Sequence, residues 1–172
     1  MKRTYWPLVV LCALATGCSL KVPVLHPHPN VNLARSSQSI SLSISNNVED
    51  AIELSSPKPI KSGTVTGWHK TLENGFQAAF ADSHRLISDG GDPELVLTIK
   101  RADPAFNMAI GGVRAQVTYS ADLVAKSGAV MGRSARTVES KLTVAKADEA
   151  RNAMQSAVET MFESIVQDVF KR

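Results

Sequence analysis

Cysteine is nearly absent. Two occur among 172 residues, Cys12 and Cys18, and both fall in the first eighteen positions. The rest of the chain holds none, so no disulfide can brace it and its stability must come from an apolar core. Neither sign of charge is in excess. Lys and Arg number 19 against 16 Asp and Glu, and the surplus falls to 17 against 16 once residues 1–17 are set aside. The pI near 9.0 is therefore no footprint of nucleic acid. After residue 18 no run is long and apolar enough to cross a bilayer. No Gly-x-Gly-x-x-Gly or Gly-Lys-Ser/Thr run occurs, which leaves Gly90-Gly91-Asp92-Pro93 and Gly111-Gly112 as turns rather than phosphate loops. Internal repeats are absent too.

The chain does have a distinctive N-terminus. Lys2 and Arg3 precede an apolar stretch, Leu8 to Ala15, of the length a secretory signal needs and too short for a finished transmembrane helix. It runs into Leu14-Ala15-Thr16-Gly17-Cys18, small residues ending on a cysteine. This segment resembles the lipobox of bacterial lipoproteins. The resemblance implies that residues 1–17 are cleaved, that the Cys18 thiol carries diacylglycerol and that the new amine carries an acyl chain, with no other cofactor. At about 0.8 kcal/mol per buried CH₂, one chain binds a membrane marginally and two or more hold firmly. The same resemblance gives Ser19 a sorting role. In Gram-negative lipoproteins an Asp there commonly retains the protein in the inner membrane, so Ser19 implies the periplasmic face of the outer membrane.

Removal of residues 1–17 leaves 155, enough for one domain with a real core. Residues 18–37, with Pro23, Pro27 and Pro29 and no periodicity, are expected to be an extended, poorly ordered tether, and 38–172 a single α+β periplasmic domain. Ile40, Leu42 and Ile44 alternate with serines, which predicts a half-buried strand over 39–45. Asn46 to Asp50 breaks that pattern, and 55–63, with Pro57 and Pro59, reads as a loop. Trp68, Leu72, Phe76, Ala79 and Phe80 recur at helical spacing, predicting a helix over 66–82 in which Gly75 marks close packing against a neighbour. A short strand at 84–87 and a turn at 88–93 precede strands at 94–101, 113–123 and 130–143, the last of them polar enough for an edge. Apolar residues from Ala150 to Val169 step by three and four, so 147–170 is a helix. Asp148 and Glu149 at its start and Lys171 and Arg172 at its end suit the macrodipole. The expected architecture is a two-layer α+β sandwich. A mainly antiparallel sheet of four to five strands carries both helices on one face and leaves the other to solvent or a partner.

Chemistry-bearing clusters are sparse. His26-Pro27-His28 offers two metal ligands with no Cys or acidic cluster beside them, short of the four a closed zinc site needs, so no metal is expected. His69 and His84 lack any signature of an oriented partner and a nucleophile, and an enzyme is not expected. Arg114, Arg133 and Arg136, with Lys126 and Lys141, form a candidate surface for anionic lipid, lipopolysaccharide or glycan, against the plainer reading of a solvated strand face. Met154 and Met161 read as core. Phe106, Met108 and Ile110 alternate within a turn-rich stretch, and either extend the preceding strand or form an exposed apolar lip for a partner.

The lipobox, the proline-bearing segment, Pro93-Glu94-Leu95-Val96-Leu97-Thr98-Ile99, Val113-Arg114-Ala115-Gln116-Val117-Thr118-Tyr119 and the closing amphipathic helix together resemble the small YajG-like lipoproteins. The layout is also similar to the lipopolysaccharide-assembly lipoprotein LptE and to auxiliary lipoproteins of ABC-type envelope transporters. Against LptE, Ser19-Leu20 stands where a Gly-Trp pair is expected. The resemblance implies a non-enzymatic, membrane-anchored accessory of an envelope assembly or transport machine, with an envelope protein as partner and no nucleic acid. The alternative is a small binding module for an anionic lipid or glycan.

Overall fold

A computed structural model describes residues 20–45, 51–54, 63–107, 112–140, 143–144 and 147–170. The chain order is β1 (Leu20–Val22), β2 (Ser39–Ile44), β3 (Ala51–Leu54), β4 (Gly63–Thr66), α1 (Trp68–Phe80), β5 (Arg85–Leu86), β6 (Glu94–Asn107), β7 (Gly112–Val124), β8 (Val130–Glu139), β9 (Thr143–Val144) and α2 (Ala147–Val169). The main sheet runs β5-β2-β6-β7-β8, with β9 also on β7, and β1-β4-β3 make a small second sheet. Both helices pack on the main sheet, the α+β sandwich expected from the hydrophobic periodicities.

The sheet is mixed. β6, β7 and β8 form an antiparallel meander, but β2 lies parallel to both β5 and β6. Parallel neighbours need a long crossover. Here the β3–β4 hairpin and α1 supply it between β2 and β5, and the strand periods gave no sign of that hairpin. β6 and β7 pair from Glu94↔Val124 to Asn107↔Gly112, so the strand expected at 94–101 continues six residues further. The register shift between Ile99 and Arg101 changes the phase: Leu95, Leu97 and Ile99 are buried before it and Ala102 after it.

One core joins the layers. Trp68, Leu72, Phe76 and Phe80 of α1 and Met154, Val158, Met161, Phe162 and Ile165 of α2 cover Leu95, Leu97, Val117, Tyr119 and Ala121 of the sheet. Met154 and Met161 are fully buried, as the core reading requires. Gly75 is where the helices meet. A Cβ there would sit 2.8 Å from Cδ2 of Phe162, so the ring occupies the space a side chain would take. Gly67, ahead of α1, has φ 68°, a left-handed conformation that glycine adopts without strain.

The segment expected to stand off as a tether is extended but docked. Leu25 is fully buried in the core, Pro27 and Pro29 are buried, and Val31 and Leu33 pack against the same cluster. Leu25 N–H donates to Thr71 Oγ1 at 3.0 Å, and Asn74 Nδ2 donates to the Leu25 carbonyl at 2.9 Å, both partners on α1. The His28 and Asn30 amides donate to Oε1 of Glu159 and Glu163 on α2, at 2.9 and 2.8 Å. Ser36 N–H reaches the Ser83 carbonyl at 2.7 Å. Residues 24–36 therefore strap the outer side of the helix pair. An extended segment leaves most of its amides without partners in itself, and acceptors on the helices take those of Leu25, His28 and Asn30.

A strap residue in the core should behave as one. Leu25→Ala is expected to destabilise the domain by about 2–5 kcal/mol, read as a lower urea midpoint. A free tether would give no change. Gly75→Ala is expected to lower the midpoint too, although alanine favours an isolated helix by ~1 kcal/mol.

Candidate functional site

The three arginines do not converge. Along β8, Gly132, Ser134 and Val138 are buried toward α2 while Arg133, Thr137 and Glu139 alternate outward. Arg114 and Arg133 lie on the outward face, each beside a carboxylate: Arg114 Nη1 to Glu139 Oε2 at 3.0 Å, and Arg133 to both oxygens of Asp122 at 2.6 and 3.0 Å. Arg136 is in phase with Ser134, stands opposite Tyr119, and grips Asp168 on α2 with two donors. The three arginines of the expected basic surface are thus split between two faces, and each is matched by a carboxylate. Cross-strand pairing placed the acids there, and spacing along one strand could not reveal them.

Arg136 belongs to a network. Tyr119 Oη and Ser134 Oγ lie 2.8 Å apart, and Ser134 Oγ donates to Asp168 Oδ2 at 2.7 Å, which Arg136 Nε also reaches at 2.9 Å. It ties the end of α2 to β7 and β8. Burial raises the Tyr119 hydroxyl above its ordinary value, an effect the Ser134 hydrogen bond partly offsets. The Asp168 side chain is 17% exposed and that of Asp122 29%, while their arginines are half-exposed or more.

The histidines are separated. The His26 ring nitrogen Nδ1 lies 3.3 Å from Asn74 Nδ2, and His28 follows on the strap. His84 stacks edge-on to Phe80 and Phe170, with centroids at 6.0 and 5.8 Å, and its Nδ1 is 2.9 Å from Ser83 Oγ. Burial between those rings lowers its pKa. No group of three or more metal-ligating side chains occurs among the described residues. His69 lines a different feature, an open groove of about 590 Å³ between α1 and the β2–β5 edge, with Leu42, Ile44, Phe76 and Leu86 as its apolar lining and Glu73 one turn away. Glu73 is engaged by Lys70 at 2.9 Å. Sequence reasoning missed this groove. The strand period could not mark it, since Ile40, Leu42 and Ile44 alternate with serines alike, and only in the fold do Leu42 and Ile44 stay half-buried where Ile40 is fully covered.

Of the proposed lip, Phe106 is in β6 opposite Val113, which favours strand extension at that position. Met108 and Ile110 lie outside the described residues, as do Cys18, Ser19, Lys141, Asn46 to Asp50, the loop at 55–62, Lys171 and Arg172. Among the described residues, the exposed large apolar side chains are Val130 and Met131, at the start of β8. β8 ends the main sheet, the edge position its polarity suggested.

The architecture recurs in solved structures. Protein XCC0632 from Xanthomonas campestris, described as DUF330, is similar with a TM-score of 0.61 at 16% identity, over 85% of this chain and 91% of that one. An uncharacterized protein superposes with a TM-score of 0.50 at 9% identity, over 87% and 97%. A minor lipoprotein from Acinetobacter baumannii gives 0.44 at 12% identity, over 78% and 92%. At these identities the likeness is one of fold. No protein-family model and no curated protein matches the chain.

Burial separates two ion pairs of the same bidentate form. Asp168→Ala should cost about 1–3 kcal/mol, because it takes from the buried Ser134 hydroxyl the carboxylate it donates to, whereas Asp122→Ala should barely move the urea midpoint. Equal losses would contradict this. His84 and Tyr119 set opposite pH limits. With His84 held below its ordinary value, the unfolded chain binds the proton first, so stability present above pH ~6.5 is lost as pH falls through the folded-state pKa. With Tyr119 held above its ordinary value, stability present below pH ~10 is lost as pH rises. In thermal melts across pH, His84→Phe should flatten the acid limb and Tyr119→Phe the alkaline limb.

Proposed function

We propose that this protein is a lipid-anchored accessory component of a bacterial envelope assembly or transport machine, acting by protein contact rather than by catalysis. The observation that carries the reading is the run Leu14 to Cys18, small residues ending on the only thiol outside the apolar leader, two positions before the first strand of a compact α+β domain. Lipid on Cys18 would fasten the domain to the membrane, and Ser19 favours the periplasmic face of the outer membrane.

Surface chemistry supports contact over catalysis. The groove between α1 and the β2–β5 edge offers an apolar lining. A protein partner is served by that groove and by the outer edge of β8, where Val130 and Met131 are half-exposed. The alternative, an anionic-ligand surface on Arg114, Arg133 and Arg136, is weakened by their pairing with Glu139, Asp122 and Asp168.

Replacing the thiol tests the anchor. Cys18→Ser is expected to abolish incorporation of labelled palmitate, to leave the leader uncleaved and to remove the mature form from the detergent phase on partitioning. An unchanged mature mass and partition would overturn the proposal. Leu42→Asp with Leu86→Asp should reduce site-specific cross-linking from the groove to an envelope protein while Cys18 lipidation is unaffected, and undiminished cross-linking would exclude the groove.

A further inference from the structure

We infer that the strap makes the lipid anchor a short, fixed spacer, so that a bilayer surface holds this domain close and in one orientation. The inference rests on the lipidation reading of Cys18. It follows from where the chain first becomes part of the fold. Strand β1 starts at Leu20 and runs parallel to β4, paired as Leu20↔Gly63, Lys21↔Thr64 and Val22↔Val65. Leu25, five positions on, is fully buried. Beyond it the backbone is held by Thr71 and Asn74 of α1, then by Glu159 and Glu163 of α2, and finally by Ser83 after α1.

Reach separates a strap from a leash. If residues 18–37 were free, nineteen peptide steps would let the domain wander to an r.m.s. distance of roughly 25 Å and an extreme of about 65 Å. With β1 paired, two steps separate Cys18 from Leu20, which spans about 7 Å. The bilayer must then lie beside the start of β1. The strap also fixes which end is near. Val24 packs under Gly67 at the start of α1, Leu25 sits by Thr71 and Asn74, and Ser36 meets Ser83 beyond the end of α1. Strap and helix therefore run in the same direction, away from the anchor. The first turn of α1 faces the membrane side, and its last turn lies some 18 Å further along a helix rising about 1.5 Å per residue.

Energy transfer from a single fluorophore to acceptor lipids reads this directly, because the mature domain has no cysteine after Cys18. The lipidated protein is reconstituted in phosphatidylcholine vesicles with the probe at Lys70→Cys or at Asp82→Cys, both exposed positions at opposite ends of α1. A fixed spacer predicts higher transfer from position 70 than from position 82, and a clear fall at position 70 when ten Gly/Ser residues are inserted after Ser19. A leash predicts equal transfer at the two sites and little change on insertion, and either result would overturn the inference. Failure of the lipidation reading looks different: protein stays in the supernatant, with no transfer from either site.

Discussion

The close approach of the two helices at Gly75 and Phe162 is the contact on which the other features depend. Both amphipathic helices must bury their stripes on one sheet face, and the ring of Phe162 fills the space that any larger residue at position 75 would occupy. With the helices side by side, their outer surfaces form one continuous bed. Leu25, Pro27 and Pro29 lie on it, and acceptors on both helices satisfy the strap amides. On the other flank, α1 overhangs a two-residue β5, which is too short to cover Leu42 and Ile44, and the groove is what remains.

The three arginines each tie one element of the fold to another through a carboxylate. The sheet meander brings Glu139 beside Arg114 and Asp122 beside Arg133, and α2 carries Asp168 to Arg136. These pairs differ in worth. An exposed pair is screened and costs side-chain entropy to hold, whereas Asp168 also receives Ser134 and so secures the helix end to two strands.

Much of the fold was legible because its signals are local. The stripe from Ala153 to Val169 and the serine-isoleucine alternation over 39–44 each follow from one element's geometry, and both elements formed where their periods placed them. The β3–β4 hairpin was not legible: its strands have four residues each, shorter than the window over which alternation can be distinguished from chance. The parallel placement of β2 was hidden as well, since a strand's period is the same whichever way its neighbour runs. Among the site residues, the arginines were correctly seen as exposed and wrongly grouped, because nearness in sequence along a strand alternates between two faces.

The sequence by itself determined that the domain must stand without disulfides, where the two helices and the longer strands lie, and that Met154 and Met161 belong inside. These follow from composition and from periodicities spanning a single element. Only the tertiary structure decided that residues 24–36 are a strap and not a tether, that the arginines are paired and divided, and that a groove opens beside α1. Each of those depends on a long-range contact, Leu25 with Thr71, Arg136 with Asp168, Leu42 near Phe76, and such contacts leave no repeat in the chain for pattern reading to find.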